Sequence, residues 1–495
     1  MRRRFFSNKT GENIDLSKPY FTIEAVEDGL TVKLSVNACA YCIDNGEWTT
    51  LSANTETVAI NKGQTLSFRG NLEPTQDNGI GTFTISKKCA VKGNIMSLLY
   101  GDDFIGKTDL TGKNYAFYRL FKNSTNIVDV SELILPATTL AENCYRYMFW
   151  DCTYLTSTPE LPATTLAKSC YEGMFCNCIR LTYAPELSAT ILARSCYNHM
   201  FQGCTSLTEA PELPATTLTN YCYNSMFYGC TGLTKTPELP ATTLSNYCYR
   251  EMFSDCTSLT KAPELPATTL ADNCYEYMFY GCTGLTSAAE LPATTLADNC
   301  YGYMFQGCTS LTSAPELPAT TIAYRCYNQM FFGCTGLTEA PELPATTLAN
   351  YCYGYMFYGC TSLTKTSELP ATTLSNYCYS CMFCNCTSLT TAPELPATTL
   401  AENCYFHMFQ GCTGLTSAPE LPATTLADNC YDSMFYGCSK LSYIKALFTT
   451  TPSSLYTPGW VNGVSSTGAF VKNKNATWNV TGVNGIPEGW TVETV

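Results

Sequence analysis

A period of 26 residues governs this chain. A Cys-Tyr pair recurs at Cys144, Cys170, Cys196 and onward in unbroken steps to Cys430, twelve times in all. With that Cys as position 0, Tyr145 to Tyr431 fill position +1, and Met148 to Met434 fill position +4. Phe149 to Phe435 fill position +5, and Cys152 to Cys438 position +8. Copies of equal length with a fixed apolar set are the signature of a solenoid. One copy is too small to bury its apolar face alone, and stacked copies bury it against each other.

Within one repeat, Cys144, Met148 and Cys152 are spaced i, i+4, i+8, which predicts a short helix or helical turn over Ala141 to Cys152. Gly at position +7 (Gly203, Gly229, Gly281) suits a helix end. Leu155 to Leu161 reads as extended, and Pro159 limits ladder pairing there. Leu-Pro-Ala-Thr-Thr-Leu is then a turn into the next copy. Stacked strands would lie about 4.8 Å apart. A degenerate copy precedes the twelve: Ala116 takes position 0, Leu120 position +4 and Ser124 position +8. It is expected to cap the stack.

The run Phe201-Gln202-Gly203-Cys204-Thr205-Ser206-Leu207, followed by Pro211-Glu212-Leu213-Pro214, resembles the BspA-like leucine-rich-repeat family. The resemblance covers roughly residues 114–445. It implies a strand-plus-helix solenoid used in adhesion, found in gut and oral anaerobic bacteria and their phages, with no catalytic residues to carry over.

The expected fold class is therefore an α+β repeat. A basic arm (1–13) leads into a small antiparallel β-sandwich (14–110) of six to eight strands. The solenoid (111–445) follows, and a β-rich cap (446–495) closes it. The sandwich rests on alternating runs such as Phe21 to Ala25 and Leu30 to Val36, and on hairpin signals at Asp44-Asn45-Gly46 and Asp77-Asn78-Gly79. The cap holds Trp460, Trp478 and Trp490.

The two Cys columns hold 24 of the 30 cysteines. Cysteines eight apart on a helix are about 12 Å apart, too far for a disulfide. Buried thiols acting as small hydrophobes are expected instead. Cys39-x-x-Cys42 is half a zinc site without a second half, so neither metal nor any other cofactor is expected. A Glu column, Glu160 to Glu420, is expected to fan into water. His199 and His407, the two histidines, share position +3, where other copies hold residues such as Tyr, Ser, Gln or Gly. They read as surface variants, and no enzymatic activity is expected. A net charge of −13 argues against nucleic acid, and no apolar run is long enough to span a membrane.

Variation among the copies falls at positions +2, +3 and +6. Position +6 carries Trp150, Tyr228, Tyr280, Phe332, Tyr358 and Tyr436, the candidate recognition face. The partner expected there is a protein or glycan on a cell surface. Met1-Arg2-Arg3-Arg4 is followed by too short an apolar stretch for a secretory leader. The expected location is a phage virion, as a tail- or fibre-associated adhesin joined to other virion proteins through the arm and sandwich. A bacterial cell-surface adhesin is the alternative.

Overall fold

A computed structural model describes residues 19–495. The basic arm expected over residues 1–13 lies outside them. The chain divides into two compact bodies, one up to Ala163 and one from Thr164 to Val495.

In the first body, β1 (Phe21–Ala25), β3 (Cys39–Ile43), β4 (Thr49–Leu51), β5 (Thr65–Arg69) and β7 (Cys89–Asn94) pair antiparallel in the order β4-β3-β5-β1-β7. β8 (Ile127–Asp129) and β9 (Leu133–Ile134) then join β7 in parallel, making seven strands. A separate ribbon pairs β2 (Val32–Leu34) with β6 (Phe83–Ile85). Phe83 of the ribbon meets Phe21 and Phe68 of the sheet at centroid distances of 5.4 and 5.3 Å, so the two layers share one apolar seam. The sheet is mixed because its last two strands come from beyond residue 110, out of the degenerate first copy of the repeat. Gly93 has no room for a side chain: a Cβ there would sit 2.0 Å from the Tyr20 carbonyl oxygen.

The repeat itself contains no helix. Among the described residues the helical elements are α1 (Ser97–Tyr100) and the 3₁₀ turn Gly101–Asp103, both outside the repeats. Where a helix was expected, the backbone forms a ladder of successive turns with a period of four residues. The residues at positions −1, +3 and +7 have positive φ, as at Tyr221 (61°), Ser225 (51°) and Gly229 (69°). A right-handed helix cannot contain such residues at every fourth position.

Backbone hydrogen bonds explain why this geometry is stable when buried. At positions 0, +2, +4, +6 and +8 each N–H donates to the carbonyl three residues back, as Cys222 does to Thr219 at 3.2 Å. At −1, +1, +3, +5 and +7 each N–H donates to the next copy, as Tyr223 does to Cys248 at 3.0 Å and Phe227 to Met252 at 2.9 Å. Ten consecutive amides thus find partners, half within the turn and half along the stack, which meets the demand that buried backbone groups be paired. The positive φ at every fourth residue gives a period of four, with side chains inward at 0, +1, +4, +5 and +8 and facing away from the core at +2, +3, +6 and +7, where small ones such as Ser225 and Ser254 are still covered by their neighbours.

The inward residues form continuous columns. In the second body, position +5 Phe rings stack face to face, as Phe201 on Phe227 at 5.7 Å and 5°. Position +1 Tyr rings do the same, as Tyr223 on Tyr249 at 5.8 Å. The +8 thiols donate to the +5 carbonyl of the preceding copy, Cys230 to Phe201 at 3.1 Å and Cys282 to Phe253 at 3.0 Å. The expected extended segment after each ladder forms no regular strand; isolated parallel bridges 26 residues apart, such as Glu209 to Lys235, connect neighbouring copies there.

Both ends continue these rules with altered residues. In the first body Ser124 replaces the +8 thiol, and its hydroxyl donates to the Phe83 carbonyl at 3.2 Å. Phe83, Phe121 and Phe149 then extend the Phe column from the β-ribbon into the repeats. At the other end, residues 453–463 take the place of a further turn ladder: Tyr431 donates to Tyr456 and Phe435 to Trp460. Trp460, fully buried, closes the Tyr and Phe columns. β10 (Tyr443–Ala446), β11 (Ala469–Lys472) and β12 (Thr491–Thr494) pair in parallel beside it.

Candidate functional site

The outward residues of the turn ladder build one groove in the second body, a cavity of about 480 Å³. Its lining is two columns. Position +3 supplies His199, Ser225, Glu251, Tyr277, Tyr303 and Gln329. Position +6 supplies Gln202, Tyr228, Ser254, Tyr280 and Gln306. Six consecutive copies therefore contribute, five through both places and the sixth through Gln329 alone.

Polar and aromatic chemistry dominates the walls. Tyr277 and Tyr303 stack at 4.3 Å and 13°, and Tyr280 stands edge-on to Tyr277 at 5.8 Å. The Ser225 hydroxyl donates to Glu251 at 2.9 Å. Arg250, at position +2, bridges Glu251 and Glu276, both at 2.7 Å, so Glu251 faces the groove as a neutralised carboxylate. Burial raises the Glu276 carboxyl above its ordinary range, and the Arg250 guanidinium opposes that rise. Burial holds the His199 imidazole below its ordinary 6.5, so it is neutral at physiological pH. The Oε1 atom of Gln306 is buried without a hydrogen-bond partner, an acceptor available to a ligand.

Two of the six expected recognition residues line the groove, and the other four lie outside its lining. Tyr228 and Tyr280 line the groove. Phe332 and Tyr358 stack on each other at 4.5 Å and 4°, and the Tyr358 hydroxyl accepts from Asn385 at 3.1 Å. Tyr436 is exposed further along the same column. Trp150 belongs to the first body, where the Lys122 ammonium sits 3.8 Å from its ring centroid. The position +3 residues were missing from the expected face. Their variation among copies signalled them, and an outward-facing pair of columns, rather than one helix stripe, explains why both belong.

His407 differs from His199. Its Nδ1 contacts the Gln410 side chain and its Nε2 lies 3.7 Å from Asp432. The Glu column lies exposed on another edge of each copy, away from the groove lining. All thirty cysteines are buried, and burial pushes up thiols such as those of Cys39, Cys230 and Cys282, to about 12. They are poor nucleophiles in the folded chain.

Among solved structures, a leucine-rich repeat protein from Bacteroides ovatus aligns at 19% identity over 76% of this chain and 86% of its own, with a TM-score of 0.48. The TLR13–ssRNA13 complex aligns at 13% identity over 77% of this chain and 52% of that chain, with a TM-score of 0.24. No curated protein matches the sequence. The family described as BspA type leucine rich repeat region matches overlapping stretches, 114–260, 171–312, 220–352 and 350–456. These stretches span every copy of the turn ladder, and the chain belongs to the BspA-type leucine-rich-repeat family.

Proposed function

We propose that the protein is a non-enzymatic recognition protein that contacts its partner through the groove of positions +3 and +6. One observation carries this reading: six successive copies keep their inward residues constant while their outward residues differ and together line a single cavity. The groove's two titratable side chains other than tyrosine are a neutral His199 and an Arg-paired Glu251, which suits binding better than acid–base chemistry. Stacked tyrosines, glutamines and serines suit a polar uncharged surface, either protein or glycan.

The setting proposed is a phage tail or fibre, with the solenoid presented to a bacterial surface. That part rests on the sequence: the repeat family and a basic opening segment suited to docking on other virion proteins. Immunogold labelling with an antibody to the repeats tests it. Gold on virions supports the reading, and gold on bacterial envelopes in the absence of phage replaces it with a cell-surface adhesin. For the groove, Tyr228→Ala with Tyr280→Ala removes two aromatic walls. A central aromatic is worth about 2 kcal/mol, roughly thirtyfold in affinity. Flow cytometry of labelled protein on target cells should show at least that loss. Full binding by the well-folded double variant removes the groove as the contact surface.

A further inference from the structure

The first body carries a second, chemically different place that the groove does not explain. Here positions +3 and +6 of the degenerate copy are Arg119 and Lys122, two cations on the outward face of a chain with net charge −13. Neither belongs to any ion pair among the described residues. They border a cavity of about 290 Å³, with Thr82, Asn78, Asn123 and Asp77 as the remaining wall. That volume is small for a whole drug-sized ligand and ample for an anionic headgroup.

One buried donor in the cavity wall, and a second beside it, lack acceptors. The Nε of Arg119 is buried without a hydrogen-bond partner, and so is the indole Nε1 of Trp150, over which Lys122 lies. The contrast with the three tryptophans near the C-terminus is direct. Trp460, Trp478 and Trp490 each donate to a backbone carbonyl, at 2.9, 3.2 and 2.8 Å. Buried polar groups in native proteins are nearly always paired, so the unpaired Arg119 Nε in this wall asks for a missing acceptor. Aromatic contacts hold the cations in place: Arg119 lies 4.6 Å from the Tyr118 ring and 5.9 Å from Tyr147. Two acids act nearby. Asp77 is in the cavity wall, and Asp151 acts on Lys122 more weakly than Arg119 does. Burial and the neighbouring guanidinium both hold the Lys122 ammonium below its ordinary range, the direction that a bound anion would reverse.

We propose that Arg119 and Lys122 form an oxyanion-binding site, taking the carboxylate or sulfate group of an acidic ligand. Arg119 offers a planar fork that matches such groups, and Lys122 offers a point charge beside it. The site is independent of the groove reading, since it lies in the other body and uses none of the groove's residues.

Trp150 is the reporter. In ¹⁵N-labelled protein its indole N–H is assigned by loss of its signal in Trp150→Phe. Sodium sulfate and sodium acetate are titrated against sodium chloride at matched ionic strength, followed by glucuronate against glucose. A saturable shift with an oxyanion, absent with chloride, is expected. Arg119→Gln and Lys122→Gln should each weaken it about tenfold or more. Both substitutions install residues the repeat already uses at those positions, Gln329 at +3 and Gln202 at +6, so the thermal midpoint should hold. A response to glucuronate but not glucose assigns the site to a carboxylate carried on a sugar. A response to inorganic sulfate alone assigns it to free sulfate. No saturable shift, an equal shift with chloride, or full retention in both variants overturns the proposal.

Discussion

The +8 cysteine explains itself at the level of one atom. Its thiol is a donor to a carbonyl of the preceding copy, and Ser124 performs the same task with oxygen. Cys282→Ser should therefore cost less than Cys282→Ala, which loses the bond and leaves a small void, about 1 kcal/mol in all. Denaturant midpoints of the two variants check the order. His199 gives a pH prediction. Its folded-state pKa is depressed, so its contribution to stability is present above the ordinary 6.5 and is lost as pH falls through that value toward the lower folded one. The thermal midpoint of the parent should fall more between pH 7.5 and 5 than that of His199→Gln. The sequence made Cys144, Met148 and Cys152 look like one helix face because four is close to 3.6. The neighbouring pairs carried the better signal: Cys144 with Tyr145, and Met148 with Phe149, are all buried. Two adjacent inward residues followed by two outward ones is a period of four, which a helix does not keep in register over several turns.

At the scale of the element, the turn ladder depends on residues that tolerate positive φ. Position +7 is Gly, Asn or Asp in all twelve copies, as a left-handed backbone favours. Gly333 has φ of 70° and open space where a Cβ would stand. Gly333→Val should thus cost about 1–2 kcal/mol from backbone strain alone, while Gly333→Asn costs only a few tenths. Chemical denaturation separates them. Glycine at this place was legible in the sequence as a helix end, which also takes a left-handed glycine. The positive φ at Tyr221 or Arg325 was hidden, because side chains of that size rarely mark such a backbone. The β-strands were easier where alternation was clean, as in Phe21 to Ala25. Cys39 to Ile43 was hard to see because it lacks it.

Across the whole chain, each copy leans on its neighbours, so the ends matter out of proportion to their size. Trp460 closes both aromatic columns, and Trp460→Ala should cost about 3–5 kcal/mol. Limited proteolysis should find the first new cuts in the last copies and spare the first body. The thiols offer a global reading of the same packing: iodoacetamide at pH 8 should leave nearly all thirty cysteines unmodified until denaturant is added. The period and the copy number were plain in the sequence. The groove was visible only as variable columns, since its shape comes from stacking six copies whose outward pairs align. Everything here rests on the turn ladder, and Gln329 at position +3, with φ of 56°, tests it most directly. The thermal and denaturant midpoints of Gln329→Gly and Gln329→Val are compared with the parent. The turn ladder requires that glycine leave stability equal or higher and that valine lose about 1–2 kcal/mol. Glycine costing about 1 kcal/mol while valine costs only a few tenths is the pattern of a helix interior and would contradict it.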